Sequence, residues 1–222
     1  MSLLQTQSDR KRSILINSGI FCFLILSGLT ALVLTTSKAL AVFDDTIIKV
    51  IVNHDTWQRF WFQYLTQLGS TISIILVTIL LFSCLFGHHR SLAWFSLITP
   101  LLTLITNFLI KNLIQRPRPT AKHLVHVTGF SFPSGHAAGT MVLASVCVIL
   151  LFQLAPRHDS KWLLELLIGL FPIFIGITRI YLHVHYPSDV LAGWLEGLGI
   201  SLISWSFWLK KDRKISKKNN TG

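Results

Sequence analysis

Apolar residues in this chain fall in long, nearly unbroken blocks, without the two-residue alternation of a half-buried strand. Six blocks stand out, at residues 13–36, 68–86, 92–110, 137–154, 162–177 and 190–209, with the fifth extendable to Tyr181. About 20 apolar residues in a helix cross the roughly 30 Å of a bilayer's hydrocarbon. Inside lipid the backbone must satisfy its own hydrogen bonds, so such blocks predict helices. The expected fold is all-α: an integral membrane protein with six transmembrane helices. The pattern changes between blocks one and two, in "FDDTIIKVIVNHDTWQRFWFQYLTQLG". There Ile47, Ile48, Ile51, Trp57, Phe60, Trp61, Tyr64 and Leu68 recur at helical spacing, with Asp45, Lys49, Asn53, Gln58 and Gln67 between them. This stripe predicts one or two amphipathic helices lying in the membrane interface, with the aromatic rings as anchors.

Composition supports the same class. Charged residues make up 13% and hydrophobic residues 51% of the 222 residues, whereas soluble domains carry about 25% charged residues. The expected organisation is a basic tail at 1–12, a membrane domain over 13–209 and an irregular basic tail at 210–222, with no internal repeat. A net charge of +11 would suggest nucleic acid in a soluble protein; here it orients the chain in the membrane, and no nucleic-acid partner is expected. Arg10, Lys11 and Arg12 precede the first block and six Lys/Arg residues follow the last, which places both tails in the cytoplasm of a multi-pass plasma-membrane protein. The basic tail would also meet anionic lipid. The first block, with "ALA" at 39–41, has the outline of a cleavable signal, but its apolar run exceeds the usual 7–15 residues, which favours a retained anchor. Cys22, Cys84 and Cys147 lie inside apolar blocks without ligand-like spacing, so they read as small packing residues.

One feature of the charge pattern resists the orientation rule. The face opposite the tails receives Lys38, Lys49, Arg59, Lys111, Arg116, Arg118, Lys122 and Arg179. Half of these fall in "KNLIQRPRP" and "TRIYLHVHYPSD". In the first, Pro117 and Pro119 stop a helix, so that Lys111 and Arg118 converge. A third cluster, "PSGH", opens the fourth block. Ser134 is placed to cap that helix, and the free N–H groups of a helix start favour an anion. Gly135 permits close approach of a ligand, and His136 sits within reach. In "TRIYLHVHYPSD", Asp189 follows His185 by four residues, so its carboxylate can hold one imidazole nitrogen and leave the other free. A histidine so held, facing an anion site, is a candidate nucleophile. Each cluster alone fits a basic helix end, a capped helix or a surface ion pair; all three on one face of a charge-poor chain point to a site.

Together, Lys111 with Arg118-Pro119, Pro133-Ser134-Gly135-His136, and Arg179 with His185 and Asp189 resemble the three-part signature of the type 2 phosphatidic acid phosphatase family. "LVHVTGFSFPSGH" is similar to small bacterial members acting on phosphatidylglycerol phosphate and undecaprenyl pyrophosphate. Thr178 stands where the family usually has serine and keeps the hydroxyl. The resemblance implies a lipid phosphate phosphatase working through a phosphohistidine, without metal or other cofactor, on a phosphorylated lipid in the bilayer. It implies that Lys111, Arg118, Ser134, Gly135 and Arg179 bind phosphate, that His185 attacks, that Asp189 supports it, and that His136 protonates the leaving oxygen. His123, His126 and His183 fall outside the signature and read as loop residues or secondary headgroup contacts. The signature is shared with glucose-6-phosphatases and vanadate haloperoxidases; six membrane blocks disfavour the soluble haloperoxidases and the short chain disfavours the sugar phosphatase. A headgroup-binding or flipping protein is the alternative from another class, for which His136, His185 and Asp189 would be dispensable.

Overall fold

A computed structural model describes residues 3–52, 56–154 and 161–219 of the chain. Among these residues the protein is entirely helical. Helices α1 (Leu3–Leu34), α5 (Arg90–Ile114), α6 (Gly135–Leu154), α7 (Lys161–Tyr181) and α8 (Pro187–Asn219) are the long ones. Each contains an apolar stretch long and hydrophobic enough to cross a membrane. The remaining apolar block is built differently. Helix α4 (Thr71–Phe86) has only 16 residues, and it becomes a sixth candidate span only with the segment before it, from which it bends by 45°. Leu68, the expected start of that block, lies in a 3₁₀ turn at Thr66–Gly69.

The interfacial segment forms two helices, α2 (Lys38–Ile51) and α3 (Thr56–Leu65). Trp57, Phe60, Trp61 and Tyr64 of α3 remain exposed, as aromatic anchors at a membrane boundary would. Asn53 lies outside the described residues. So do Arg157 and Ser160 in the α6–α7 connection. Contrary to the expected irregular tail, α8 continues to Asn219; a helix need not end where its apolar face does.

Helices α6 and α8 form the centre of the bundle. Helix α6 packs against α5, α7 and α8, and α1 lies along α8. Close approach of α6 to α8 depends on two glycines. A Cβ on Gly193 would come within 2.5 Å of the Ser134 carbonyl oxygen, and one on Gly197 within 2.5 Å of the Ala138 carbonyl oxygen. The run "GWLEG" is thus a small-xxx-small seam of the kind that lets membrane helices touch backbone to backbone. Outside the bundle, apolar side chains such as Phe21, Leu24, Ile72, Leu80, Phe108 and Leu113 are exposed; in a bilayer they face lipid.

Candidate active site

One end of the bundle gathers the C-terminal ends of α5 and α7, the N-terminal ends of α6 and α8, and the loops between them. Helix α5 stops at Ile114 because Gln115 takes a left-handed conformation, φ 52°, and two prolines follow. The chain then turns back, which brings Arg118 over the end of the bundle. Its guanidinium donates to the carbonyls of Gly129 at 3.0 Å, Thr128 at 2.9 Å and Val184 at 2.7 Å. Its Nη1 also stands 3.4 Å from Nε2 of His185. Lys111, on the last turn of α5, donates to the carbonyls of Phe130 at 3.0 Å and Pro133 at 2.8 Å, with that of Ser131 at 3.5 Å. Both cations therefore shape the 128–133 loop while facing the site.

Helix α6 opens at Gly135, directly beside the side-chain oxygen of Asn107 in α5. Ser134 does not cap it as the sequence predicts. Its N–H donates to the Asp189 carbonyl at 2.9 Å, and its buried hydroxyl has no partner. The serine is spent on joining α6 to α8. Arg179, at the end of α7, is buried and donates to the Thr66 hydroxyl at 3.0 Å. His185 follows in a tight loop, and Pro187 starts α8. Asp189 is fully buried and accepts from Arg116 Nη1 at 2.6 Å, from the Tyr186 N–H at 2.8 Å and from the Ser131 hydroxyl. Nδ1 of His185 lies 3.5 Å from its Oδ2, in ion-pair range but without hydrogen-bond alignment.

A cavity of about 520 Å³ is lined by Lys111, Arg118, Gly135, His136, Arg179 and His185, together with Thr71, Leu104, Asn107, Phe108 and the 126–128 strand of loop. Three separated sequence clusters thus contribute to one wall. Ser134 and Asp189 stand behind it. Ser134 Oγ, Arg179 Nε and His185 Nδ1 are buried polar atoms without a hydrogen-bond partner, as are the Thr78 and Thr99 hydroxyls away from the site; strain, a bound water or ion, and a catalytic role each account for such groups in native structures.

The PAP2 superfamily model matches residues 92–213, the stretch that contains Lys111, Arg118, Ser134, Gly135, His136, Arg179, His185 and Asp189. The chain belongs to the PAP2 superfamily. It is a multi-pass membrane phosphatase. Phosphatidylglycerophosphatase B of Bacillus subtilis is 27% identical over 179 residues, 78% of this chain and 85% of that one. Undecaprenyl-diphosphatase BcrC of Bacillus subtilis is 30% identical over 58% of this chain and 65% of its own. The crystal structure of a transmembrane PAP2 type phosphatidylglycerolphosphate phosphatase from Bacillus subtilis superposes with a TM-score of 0.73 at 27% identity, covering 89% of this chain and 97% of that chain.

In this PAP2 phosphatase the loop groups have perturbed acidities. Burial holds the His185 imidazole well below its ordinary 6.5, at about 3; Asp189 pulls the other way, and Arg179 and Lys111 add to the depression. Burial also lowers Arg118, with Asp189 opposing. For Arg116 burial works against the charge, but Asp189 and Asp44 outweigh it and the guanidinium is raised. Several residues around the site carry no sequence signal. Arg116 reads as one more basic residue beside two prolines, Thr66 as a loop threonine, and Asp44 as the polar side of an amphipathic helix. Glu196, buried within α8, accepts from Thr106 and Asn107 at 2.8 Å each; only its occurrence inside an apolar block sets it apart. Of the extra histidines, His126 lines the cavity and His123 lies 3.0 Å from the Pro119 carbonyl. Thr178 donates to the Ile175 carbonyl at 2.7 Å, a contact that a serine could also make. Among the described residues no group of His, Cys, Asp and Glu side chains is arranged to hold a metal ion.

Proposed function

We propose that the protein hydrolyses the phosphomonoester or pyrophosphate headgroup of a membrane lipid through a phosphohistidine on His185. The observation that carries this reading is the single cavity wall shared by Lys111, Arg118, Gly135, His136, Arg179 and His185. Asp189 stands on the Nδ1 side of His185, which leaves Nε2 to attack phosphorus. The bond from Nε2 to phosphorus forms as the bond from phosphorus to the lipid oxygen breaks, and His136 gives its proton to that oxygen. Water then cleaves the phosphorus–nitrogen bond and releases phosphate. Lys111, Arg118 and Arg179 neutralise the phosphoryl oxygens, with the first-turn N–H groups of α6 alongside; Ser134, buried behind the wall, supports that helix start. Three such cations supply the charge stabilisation that Mg²⁺ supplies in other phosphoryl-transfer sites, so the reaction requires no metal.

The relatives and the position of the site support a lipid substrate. Relatives are named for phosphatidylglycerophosphate and undecaprenyl diphosphate, and the cavity is bordered by the ends of α5 and α7 and the starts of α6 and α8. Phosphatidylglycerol phosphate, undecaprenyl pyrophosphate and phosphatidic acid are the proposed substrates. With the basic tails in the cytoplasm, the site faces outward. An impermeant thiol reagent on intact cells should then label cysteine placed at the exposed Lys122 and not at the exposed His88; the opposite labelling reverses the orientation.

The test of function is phosphate release by purified protein from these lipids in detergent. Activity should persist in EDTA and fall with vanadate, which adopts the five-coordinate geometry of a phosphoryl centre. Binding of the lipids without any phosphate release would favour the headgroup-binding alternative.

A further inference from the structure

Asp44 belongs to the interfacial helix α2, yet it is 1% exposed. It is tied to the nucleophile's own segment. Its carboxylate accepts from the N–H and the hydroxyl of Ser188, both at 2.8 Å, and from Arg116 Nη2 at 2.9 Å. The other arm of Arg116, Nη1, donates to Asp189 Oδ1 at 2.6 Å and to the Ser188 hydroxyl at 2.8 Å. The guanidinium carbon lies 4.0 Å from the centre of the Tyr186 ring. The Arg116 carbonyl accepts from the Ser131 N–H at 2.8 Å, and the Ser131 hydroxyl in turn donates to Asp189 Oδ2. Both side-chain donors that fix the Asp189 carboxylate are thus Arg116 itself or a residue held by the Arg116 backbone.

We propose that Arg116, clamped by Asp44, is a positioning residue for the nucleophile: it orients the Asp189 carboxylate toward Nδ1 of His185 and so sets the rate of attack. The inference rests on the functional reading above, and it lies outside the three-part signature. A planar guanidinium presents donors on two edges and can bridge two carboxylates at once. A lysine ammonium keeps the charge but cannot hold both in that geometry. The proposal also gives α2 a role beyond anchoring: its buried aspartate makes the interfacial helix part of the active-site scaffold, 141 positions before His185 in the sequence.

A structural staple alone would lower stability and leave the chemistry intact, so the test separates the two. Purified Arg116→Lys, Arg116→Gln and Asp44→Asn are compared with wild type for kcat, KM and melting temperature, on whichever lipid phosphate the wild type turns over fastest. Outer partners that orient metal ligands contribute about 10–100-fold, and a group that orients the carboxylate behind a nucleophile is expected to act in the same range. All three variants should lose kcat in that range, with KM unchanged and melting still cooperative. In an Asp189→Ala background, adding Arg116→Gln should cost little more, because a unit already broken cannot be broken again. If Arg116→Gln does not fold, Arg116→Lys in both backgrounds carries the same comparison. Wild-type kcat in Arg116→Lys and Asp44→Asn, a loss confined to KM, or full multiplication of the two losses in the double variant overturns the inference alone. A wild type inactive on every lipid phosphate overturns the functional reading and this inference with it.

Discussion

His185, the proposed nucleophile, shows what burial does to an imidazole. An imidazole can attack only when unprotonated, and burial keeps this one neutral with a pKa of about 3, against 6.5 when free. The sign for stability follows. In the unfolded chain the ring takes a proton below about 6.5, whereas in the folded protein it resists until about 3. Its contribution to stability is therefore complete above 6.5 and is lost as the pH falls from there toward 3. Nitrogen-15 spectra of the imidazoles, with His185 assigned by its loss in His185→Gln, should show a neutral ring from pH 8 to pH 5. A titration centred near 6.5 would contradict the assigned environment. The signature residues were legible in the sequence because rare polar groups stand out against apolar blocks. Their supports were not. Arg116 reaches Asp189, Asp44 reaches Arg116 and Ser188, and Thr66 reaches Arg179 only through folding, and their local sequence offers an equally good explanation at a membrane surface. Ser134 illustrates the opposite error: its sequence context indicates a cap, but Asp189 of another helix takes its N–H and its hydroxyl is left for other use.

At the scale of elements, the seam between α6 and α8 carries the geometry of the site. Gly193 faces the Ser134 carbonyl, one residue from the cavity-lining start of α6, while Gly197 packs a turn deeper. Adding a methyl to a filled interface costs roughly 1–3 kcal/mol. Gly193→Ala and Gly197→Ala should each lower the melting temperature in detergent. Gly193→Ala should also reduce kcat, since moving α8 away strains the bond from Ser134 N–H to Asp189. A Gly193→Ala protein with wild-type melting and kcat would show that the seam does not set the site. Hydropathy located most helices because lipid selects apolar runs, and it placed α2 and α3 through their stripe. It started α4 too early, at Leu68, because the apolar run continues through a bend into the preceding turn, whereas the apolar part of α8 ends at Leu209 as expected. The glycine seam lay in plain view in "GWLEG", but its partner surface on α6 is set by the packing.

At the scale of the whole molecule, the proposed function puts phosphate chemistry at the edge of a bilayer. Exposed apolar helix surfaces suit the bundle to lipid, α3 packs Phe62 against Phe174 and Tyr181 of α7 and leaves Trp57, Phe60, Trp61 and Tyr64 exposed, and the cationic cavity lies at one end of the bundle. A lipid can then keep its chains in hydrocarbon while its headgroup enters the cavity. The central claim is that the group attacking phosphorus is His185. Rapid acid-free quenching with a lipid carrying a radiolabelled phosphoryl group tests it most directly. Wild type should accumulate a protein-bound label that survives base and is released by acid, as a phosphorus–nitrogen bond is, and His185→Ala should trap none while remaining folded. Label of the same stability on His185→Ala, or turnover by His185→Ala at the wild-type rate, would contradict the account.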